Sequence, residues 1–537
     1  MSFQLKIDDS VFQRAERFLF FALVIIFLFP IWSLDYFPTL DSPGHVYNGK
    51  ILWELLFGDA TFYQSAYVIN DQLSPNWFSQ CLLAVLSNLA SPFLCEKIIH
   101  SIYVVGFAFG FRMMVKSWKQ APVWLPLLGF TFIYNATMIL GFLNFNLGIA
   151  LLLWSIGLFH RTIEDTSLKK LFLFFVVITL LYFTHLVAIV VFFLYVLSWF
   201  IIDLIDAAVA KQRPTVFQNG LWYKLFMALI APALLLVLYL LSDQEAGVYY
   251  YTNTDEITQK LIRFEGLFCF EQKEFGYARW SWFAVVGGIV MTLSYASMRF
   301  MMKKNSGEKL FSDIKLFFTL LLVTVLVVAC AYVMPDASSG GGGMLTIRLV
   351  FFAGLFFVTS IFFVLKQKWI SILMITLVTV VAVEKSFFIR KKQSSNQEFC
   401  TQIDAMSHNQ CGNGVLLFLD FRGGWPLGHY SKVLANTNNW IAMDNLGAHK
   451  TFSPIKWKPE FRKDDEVLCY VGDQWNCRPA NLPTALKEMD LYILKNGDYS
   501  DRESGPSAEE FWEKYFSDSC QKIGQINDRL TLYRRSH

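Results

Sequence analysis

The chain has 537 residues, of which 55% are hydrophobic, and its mean hydropathy is +0.41. Soluble domains are roughly 45–50% apolar, so this composition excludes an ordinary soluble protein. The formal net charge is only +3, and the Lys and Arg residues stand in short clusters between apolar blocks. These clusters indicate membrane orientation signals, and we expect no nucleic-acid partner.

The apolar residues form blocks of about 18 residues or more, the length that a transmembrane helix needs. The block at 169–206 is too long for one crossing, because a helix of that length would measure about 57 Å against a hydrocarbon core of about 30 Å. It must therefore fold back, and we place the turn at His185. The prediction is eleven transmembrane helices, at 18–36, 97–115, 121–140, 142–160, two within 169–206, 223–242, 281–302, 314–334, 345–366 and 369–389.

The N-terminal segment is polar and amphipathic up to Arg17, and no small-residue cleavage site follows the apolar run Phe18 to Trp32. We therefore expect a retained first span rather than a cleaved signal peptide. A further apolar block at 76–91 is interpreted as a juxtamembrane helix within the first outer loop, 35–96. This choice brings the short basic loops to the cytoplasmic side together with the N-terminus, as the positive-inside rule requires.

The composition changes near residue 390, so we predict a membrane domain over 1–390 and an outer α/β domain over 391–537. The segments "GVLLFLDF", "MDLYILKN" and "RLTLYRR" favour strands, and "SAEEFWEKYFSD" favours a helix with acidic residues in its first turn. Cys400/Cys411 and Cys469/Cys477 are spaced for local disulfides in a periplasm, with reduced thiols as the alternative. Because CxxC and HExxH motifs are missing from the sequence, we expect no metal.

Several unusual polar residues collect on the predicted outer face. They lie in the first loop, in later outer turns and in the outer loop 243–280, and comprise Asp41, His45, Asn48, Asn144, His185, Glu265 and Arg348. Ionisable residues at membrane depth are costly and usually face a cavity. Arg348, just after the glycine run 340–343, could hold a phosphate bidentately or else extend toward lipid headgroups. Simpler roles also stand: a structural histidine at 185, a helix cap at Asn144 and a solvated loop face at Glu265.

Asp41 stands in the stretch "TLDSPGHVYN", where we expect Pro43 and Gly44 to fix a turn. Its carboxylate could cap that turn. Alternatively, an exposed carboxylate near a histidine at the membrane's outer surface is what a general base for a hydroxyl acceptor requires.

These features resemble the GT-C class of integral membrane glycosyltransferases. The resemblance lies in an acidic residue after the first span, an interfacial helix opened by "SPNW", and many spans followed by an outer α/β domain. The layout is similar to lipid A aminoarabinose transferases and protein O-mannosyltransferases. The motifs are closer to uncharacterised bacterial membrane proteins with a D-x-P-x-H-x-Y-N loop (41–48), a GF-x-NF-x-LG turn (141–148) and a Gly-rich R-L segment (340–349).

The resemblance implies an enzyme of a bacterial inner membrane, without a cofactor, that takes sugar from a polyprenyl-phosphate donor in the outer leaflet. The acceptor would be a glycan, a lipid or a protein. Asp41 would act as base and Arg348 would hold the lipid phosphate in the same cavity, while His45, Asn48, Asn144, His185 and Glu265 would bind substrate. Protein O-mannosyltransferases carry two adjacent acidic residues in this loop, whereas Ser42 follows Asp41 here, so we expect no metal dependence.

Two other classes of function remain open at this point. A non-enzymatic transporter or flippase for a lipid-linked glycan would explain a cavity and Arg348 but not Asp41. We find no internal repeat of the kind that transporters often contain. A structural membrane anchor whose outer domain binds the cell wall would leave the polar residues of the outer face unexplained.

Overall fold

The computed structural model describes residues 9–58, 62–72, 74–241, 248–267, 315–338, 342–365, 368–407, 412–420, 429–450, 452–459, 484–496, 508–526 and 530–535. The chain divides into two compact units. The helical unit comprises Met1–Pro30, Ser101–Ile139 and Asn144–Arg390, and the sheet unit comprises Ile31–His100, Leu140–Leu143 and Lys391–His537. The last segment of the sheet unit thus begins at the predicted domain boundary near residue 390, and the unit also includes the loop 35–96.

Most of the described residues belong to α-helices. Up to residue 262 they are α1 (Asp9–Trp32), α2 (Ser42–Phe57), α3 (Phe78–Leu89), α4 (Pro92–Lys116), α5 (Leu125–Leu128), α6 (Phe130–Ile133), α7 (Ala136–Ile139), α8 (Leu143–Glu164), α9 (Leu168–Thr184), α10 (Leu186–Ala210), α11 (Leu221–Leu241) and α12 (Thr254–Ile262). Later come α13 (Lys315–Val333), α14 (Leu345–Phe363), α15 (Lys368–Ser394), α16 (Gln397–Ser407), α17 (Ser431–Asn438), α18 (Thr484–Lys487) and α19 (Ala508–Tyr515).

Within the described residues, eight helices are long and apolar enough to cross a membrane: α1, α4, α8, α10, α11, α13, α14 and α15. This makes the protein a multi-pass membrane protein by composition and helix length. Helix α9 has 17 residues and lies just below that length. The span predicted at 281–302 lies outside the described residues, so the count of eleven stays a prediction.

Helices α1 and α4 run in opposite directions. Glu16, near the start of α1, is buried and pairs with Arg112 at 2.8 Å and Lys116 at 2.9 Å, near the end of α4. An ion pair at these ends places the start of α1 beside the end of α4. Helix α3, which lies between them in sequence, has 12 residues. Its length of about 18 Å is too short for a crossing and fits the predicted juxtamembrane helix.

The single helix expected at 121–140 is instead broken into α5, α6 and α7. Backbone groups freed by a break in an apolar setting must find partners inside the protein. Asn135 supplies them here, because its Nδ2 donates to the carbonyls of Phe132 and Ile133 and its Oδ1 accepts from Thr137 Oγ1 at 2.6 Å. Asn146 adds to this network, since its Oδ1 accepts from the same Thr137 hydroxyl at 2.8 Å.

The reversal predicted at His185 is confirmed. Helix α9 ends at Thr184, α10 begins at Leu186, and His185 between them has extended backbone with φ −162° and ψ 128°. Phe174 of α9 contacts Phe192 of α10, with ring centroids 6.1 Å apart. The long apolar block therefore becomes two helices that pack against each other.

In the helical unit, two short strands, β2 (Tyr249–Tyr250) and β3 (Ala337–Ser338), pair antiparallel. Among the described residues of the sheet unit, one five-stranded sheet comprises β4 (Gly414–Asp420), β5 (Trp440–Ala442), β7 (Asp490–Asn496), β8 (Cys520–Ile526) and β9 (Leu530–Arg535). The order of its strands is β5-β4-β7-β9-β8. Strand β4 is parallel to β5 and β7, whereas β9 is antiparallel to both β7 and β8. The three strands and the helix predicted for this region are present as β4, β7, β9 and α19.

Residues of the loop 35–96 are part of the sheet unit's core. Strand β1 (Tyr67–Ile69) pairs antiparallel with β6 (Ile455–Trp457), and the rings of Tyr67 and Trp457 lie 4.3 Å apart. The buried hydroxyl of Tyr47 on α2 donates to the carbonyl of Trp440 at 2.8 Å and accepts from the amide of Ala442 at 3.0 Å. Hydrogen bonds and aromatic packing thus fix α2 against the sheet.

Of the four cysteines predicted to form disulfides, only Cys400 lies within the described residues. This residue is a free and buried thiol on α16. Its predicted partner Cys411 lies outside the described residues, as do Cys469 and Cys477. Cys520 is also a free thiol and lies at the start of β8.

Candidate functional site

The turn expected at "DSPG" is the first turn of α2. Helix α2 begins at Ser42, and Pro43 stands in the first turn, where its missing N–H costs nothing and its fixed φ favours the helix. The turn prediction is therefore wrong, because the apolar residues that follow continue as a helix packed on the sheet unit. Asp41 occupies the N-cap position, but its side chain makes no capping hydrogen bond.

The residues on either side of Asp41 are held by a buried polar network. Ser42 Oγ lies 3.2 Å from His100 Nε2, and Thr39 Oγ1 donates to Ser42 Oγ at 2.5 Å. The Asp41 amide donates to the carbonyl of Leu140 at 3.0 Å. The backbone around Asp41 is thus anchored on both sides, which fixes the position of its Cα and Cβ atoms.

Asp41 is paired with a histidine that the sequence reading did not single out. His429 Nε2 lies 3.3 Å from Asp41 Oδ1, and the side chains are 21% and 32% exposed respectively. Burial, together with Lys432, Lys450 and His45, lowers the pKa of His429 well below its ordinary value. A neutral imidazole can donate its Nε2–H to Oδ1 of Asp41.

His45 lies one turn after Asp41 on α2, so both side chains stand on the same face of the helix. Its Nδ1 lies 2.7 Å from Nε2 of Gln80, which is buried on α3. A Cβ added at Gly44, between them in sequence, would meet no atom of the described residues within 4 Å. Gly44 therefore faces open space within the part of the chain that the structure describes.

A buried ion pair supports the segment that carries His429. Lys432 Nζ binds Asp444 Oδ2, with side-chain exposures of 1% and 0%, and Ser431 Oγ donates to the same oxygen at 2.8 Å. Burial lowers the pKa of Lys432, while Asp444 acts in the opposite direction. The pair fixes the start of α17 next to His429.

Asn48 lies inside the sheet unit, and its predicted role in substrate binding stays a prediction. Its side chain is buried, and its Oδ1 accepts a hydrogen bond from Asn445 Nδ2 at 2.8 Å. Asn445 Nδ2 also reaches the hydroxyl of Tyr67 at 3.4 Å. These contacts join α2 to the segment after β5, so Asn48 has a clear role in the fold of the sheet unit.

In the helical unit, the structure brings His185 and Arg348 to one aromatic ring. The ring of Phe145 lies 5.1 Å from that of His185, and the Arg348 guanidinium lies 5.6 Å from the same ring. His185 Nδ1 also accepts from the amide of Val187 at 3.1 Å and so caps α10. The predicted structural role of His185 is thereby present alongside its position near Arg348, and Asn144 is buried next to Phe145 in sequence.

Glu265 lies on a segment that packs close to Arg348. It is partly exposed just after α12, and a Cβ added at the following Gly266 would come within 2.8 Å of the Ile347 side chain. Asp336 has a capping role, since its Oδ1 accepts from the amide of Thr346 at 2.6 Å in the first turn of α14. Three further charged residues of the loop 243–280, namely Glu271, Glu274 and Arg279, lie outside the described residues, as do Gly340 and Gly341.

The predicted site residues fall into both units. Asp41, His45 and Asn48 belong to the sheet unit, whereas Asn144, His185, Glu265 and Arg348 belong to the helical unit. A cavity shared by Asp41 and Arg348 stays a prediction. Over the described part of the chain, no group of three or more His, Cys, Asp or Glu side chains is placed to hold a metal ion.

Comparison with known proteins adds no family to this description. No protein-family model matches the chain, and a search of curated proteins finds no match. The resemblance to GT-C glycosyltransferases therefore rests on loop motifs and layout alone, and the functional argument rests on the side-chain geometry described above.

Proposed function

We propose that the protein is a membrane glycosyltransferase that moves a sugar from a polyprenyl-phosphate donor to a hydroxyl acceptor, with Asp41 as general base. The observation that carries the proposal is the Asp41–His429 pair, 3.3 Å apart and partly exposed. A general base must be accessible, oriented and able to pass on its proton. Asp41 is accessible, its backbone is anchored, and a neutral imidazole lies beside it.

The reaction follows from the charges involved. Asp41 removes the proton of the acceptor hydroxyl as the acceptor oxygen attacks the anomeric carbon, and the bond from that carbon to the donor phosphate breaks. The phosphate leaves with the bonding electron pair, so a cation must stabilise it. The sequence resemblance assigns this role to Arg348 of the helical unit, and that assignment stays a prediction.

The test compares two Asp→Asn changes in the same loop. Purified protein is incubated with radiolabelled polyprenyl-phosphate sugars and a membrane extract as acceptor source, and transfer is counted. We expect Asp41→Asn to slow transfer by at least about 100-fold, the usual contribution of a general base. The exposed Asp35 is the matched control, and Asp35→Asn should retain transfer within about twofold of wild type. Undiminished transfer by Asp41→Asn would refute the base assignment.

Transport of the lipid-linked glycan is the second candidate, because His185 and Arg348 meet at Phe145, near the ends of candidate membrane helices. The two functions separate in sealed vesicles that carry the labelled lipid. Movement of the lipid across the membrane by both wild type and Asp41→Asn, without transfer of sugar by either, would establish transport instead.

A further inference from the structure

A cavity lies in the helical unit at the ends of four candidate membrane spans. It measures about 490 Å³ and is lined where α4 ends at Lys116, α8 ends at Glu164, α14 ends at Phe363 and α13 begins at Lys315. Ends of membrane helices lie at the level of the lipid headgroups. The cavity is therefore at headgroup depth, and it contains none of the residues assigned to sugar transfer.

The inner wall of the cavity is aromatic and rigid. Trp118 and Phe363 are buried and meet edge to face, with ring centroids 5.9 Å apart. Trp199 forms a further part of the lining, and the ammonium of Lys315 lies 5.3 Å from its ring centroid. Tryptophan is enriched at membrane–water interfaces, where one part of the ring is apolar and the other polar. This wall fits the glycerol end of a lipid better than a solvated ion.

The charges at the cavity are of both signs. Lys119 and Glu164 form an exposed pair at its rim, 3.1 Å apart. Lys315 forms ion pairs with Asp203 and, at 3.8 Å, with Asp206. Among the lining residues, Lys315 is paired with Asp203 and Lys119 with Glu164, so an anion alone would meet repulsion from Glu164 as well as attraction to Lys119. A ligand with a phosphate and an ammonium group satisfies both signs, because its phosphate faces Lys119 and its ammonium faces Glu164.

We propose that this cavity binds the headgroup of a zwitterionic phospholipid, a phosphate ester joined to an ammonium group. The Lys119–Glu164 pair opens and each partner takes the opposite charge of the headgroup, while Trp118 and Phe363 pack against its apolar part. The ion pair between Lys119 and Glu164 is replaced by one ion pair of each residue with the headgroup, so the net charge of the site stays the same. This binding is independent of the proposed sugar transfer.

Native mass spectrometry of the purified full-length protein in detergent tests the proposal. Phosphatidylethanolamine and phosphatidylglycerol are titrated separately, and the fraction of protein that retains one lipid is measured. We expect wild type to retain phosphatidylethanolamine at least about threefold better, the scale of one exposed charge pair. Glu164→Gln should abolish this preference, Lys119→Gln should weaken retention of both lipids, and Lys169→Gln, exposed on α9 and outside the cavity, should change neither.

The source of the headgroup is tested by competition. Soluble phosphoethanolamine at an equal concentration should leave the bound phosphatidylethanolamine in place, because it lacks the acyl chains. Displacement at that concentration would overturn the assignment to a lipid. Equal retention of the two lipids by wild type, or a preference that survives Glu164→Gln, would overturn the assignment of the cavity to a zwitterion.

Discussion

The buried Lys432–Asp444 pair allows a quantitative prediction that does not depend on the substrate. Both side chains are almost completely inaccessible to solvent, at 1% and 0%. Removing one partner of such a pair leaves an uncompensated buried charge, which costs about 3–5 kcal/mol. Lys432→Met should therefore destabilise the sheet unit by this amount. Replacing both residues, as Lys432→Met with Asp444→Leu, removes both charges and should restore much of the loss.

A buried thiol in the same unit reports the effect. Cys400 on α16 is fully buried, and burial raises the pKa of its thiol to about 12. A thiol reagent can modify Cys400 only when the sheet unit opens, so its labelling rate follows the free energy of opening. A loss of about 3 kcal/mol raises this rate by roughly 100-fold. The rate is measured by mass spectrometry of the Cys400 peptide from full-length protein in detergent.

A surface ion pair of the same unit is the matched control. Arg534 and Asp490 lie 2.7 Å apart but are 46% and 32% exposed, so Arg534→Gln should accelerate labelling by no more than about fivefold. The reasoning would be refuted if Lys432→Met labelled Cys400 no faster than Arg534→Gln. It would also be refuted if the double replacement were as damaging as the single one.

Three further predictions concern α2 and His429. Gly44→Ala should stabilise the sheet unit by up to about 1 kcal/mol, since a Cβ there meets no atom of the described residues. Gly49→Ala should destabilise it by about 1–3 kcal/mol, because its Cβ would lie 2.7 Å from Leu83. The rate of Cys400 labelling compares the two variants, and faster labelling of Gly44→Ala than of Gly49→Ala would contradict the packing. Below about pH 6.5 the folded state binds fewer protons at His429 than the unfolded state, because its pKa is lowered in the fold. The free energy of unfolding should therefore decrease as the pH is lowered, by at most about 1.4 kcal/mol per pH unit. The decrease is seen as faster Cys400 labelling, corrected with the rate of a reduced peptide. The variant His429→Gln should reduce this dependence on pH. The same variant should slow sugar transfer about tenfold with KM unchanged; an altered KM with unchanged kcat would instead assign His429 to binding.

The sequence by itself determined the membrane class and much of the local structure. Long apolar blocks have few alternatives to helices that cross a bilayer, because backbone polar groups in lipid must be satisfied within the segment. Excess length alone required the reversal at His185. Alternating apolar patterns bounded by turn residues sufficed for β4, β7 and β9.

The tertiary structure decided what periodicity does not encode. The block at 121–140 is apolar enough for one helix, but it is broken because Asn135, Thr137 and Asn146 satisfy the freed backbone and one another. Asp41 is the N-cap residue of a helix and does not belong to a free turn, because that helix packs on a sheet formed by residues much later in the chain.

The partners of the candidate site are the clearest case of information outside the sequence pattern. The local motif identified Asp41 and His45, but His429, Gln80 and His100 come from distant segments, and no spacing links them to Asp41. Such contacts are set by how strands and helices pack, which depends on many weak interactions at once. A carboxylate can be recognised as a candidate base from its own loop, but the groups that orient it are known only once the chain has folded.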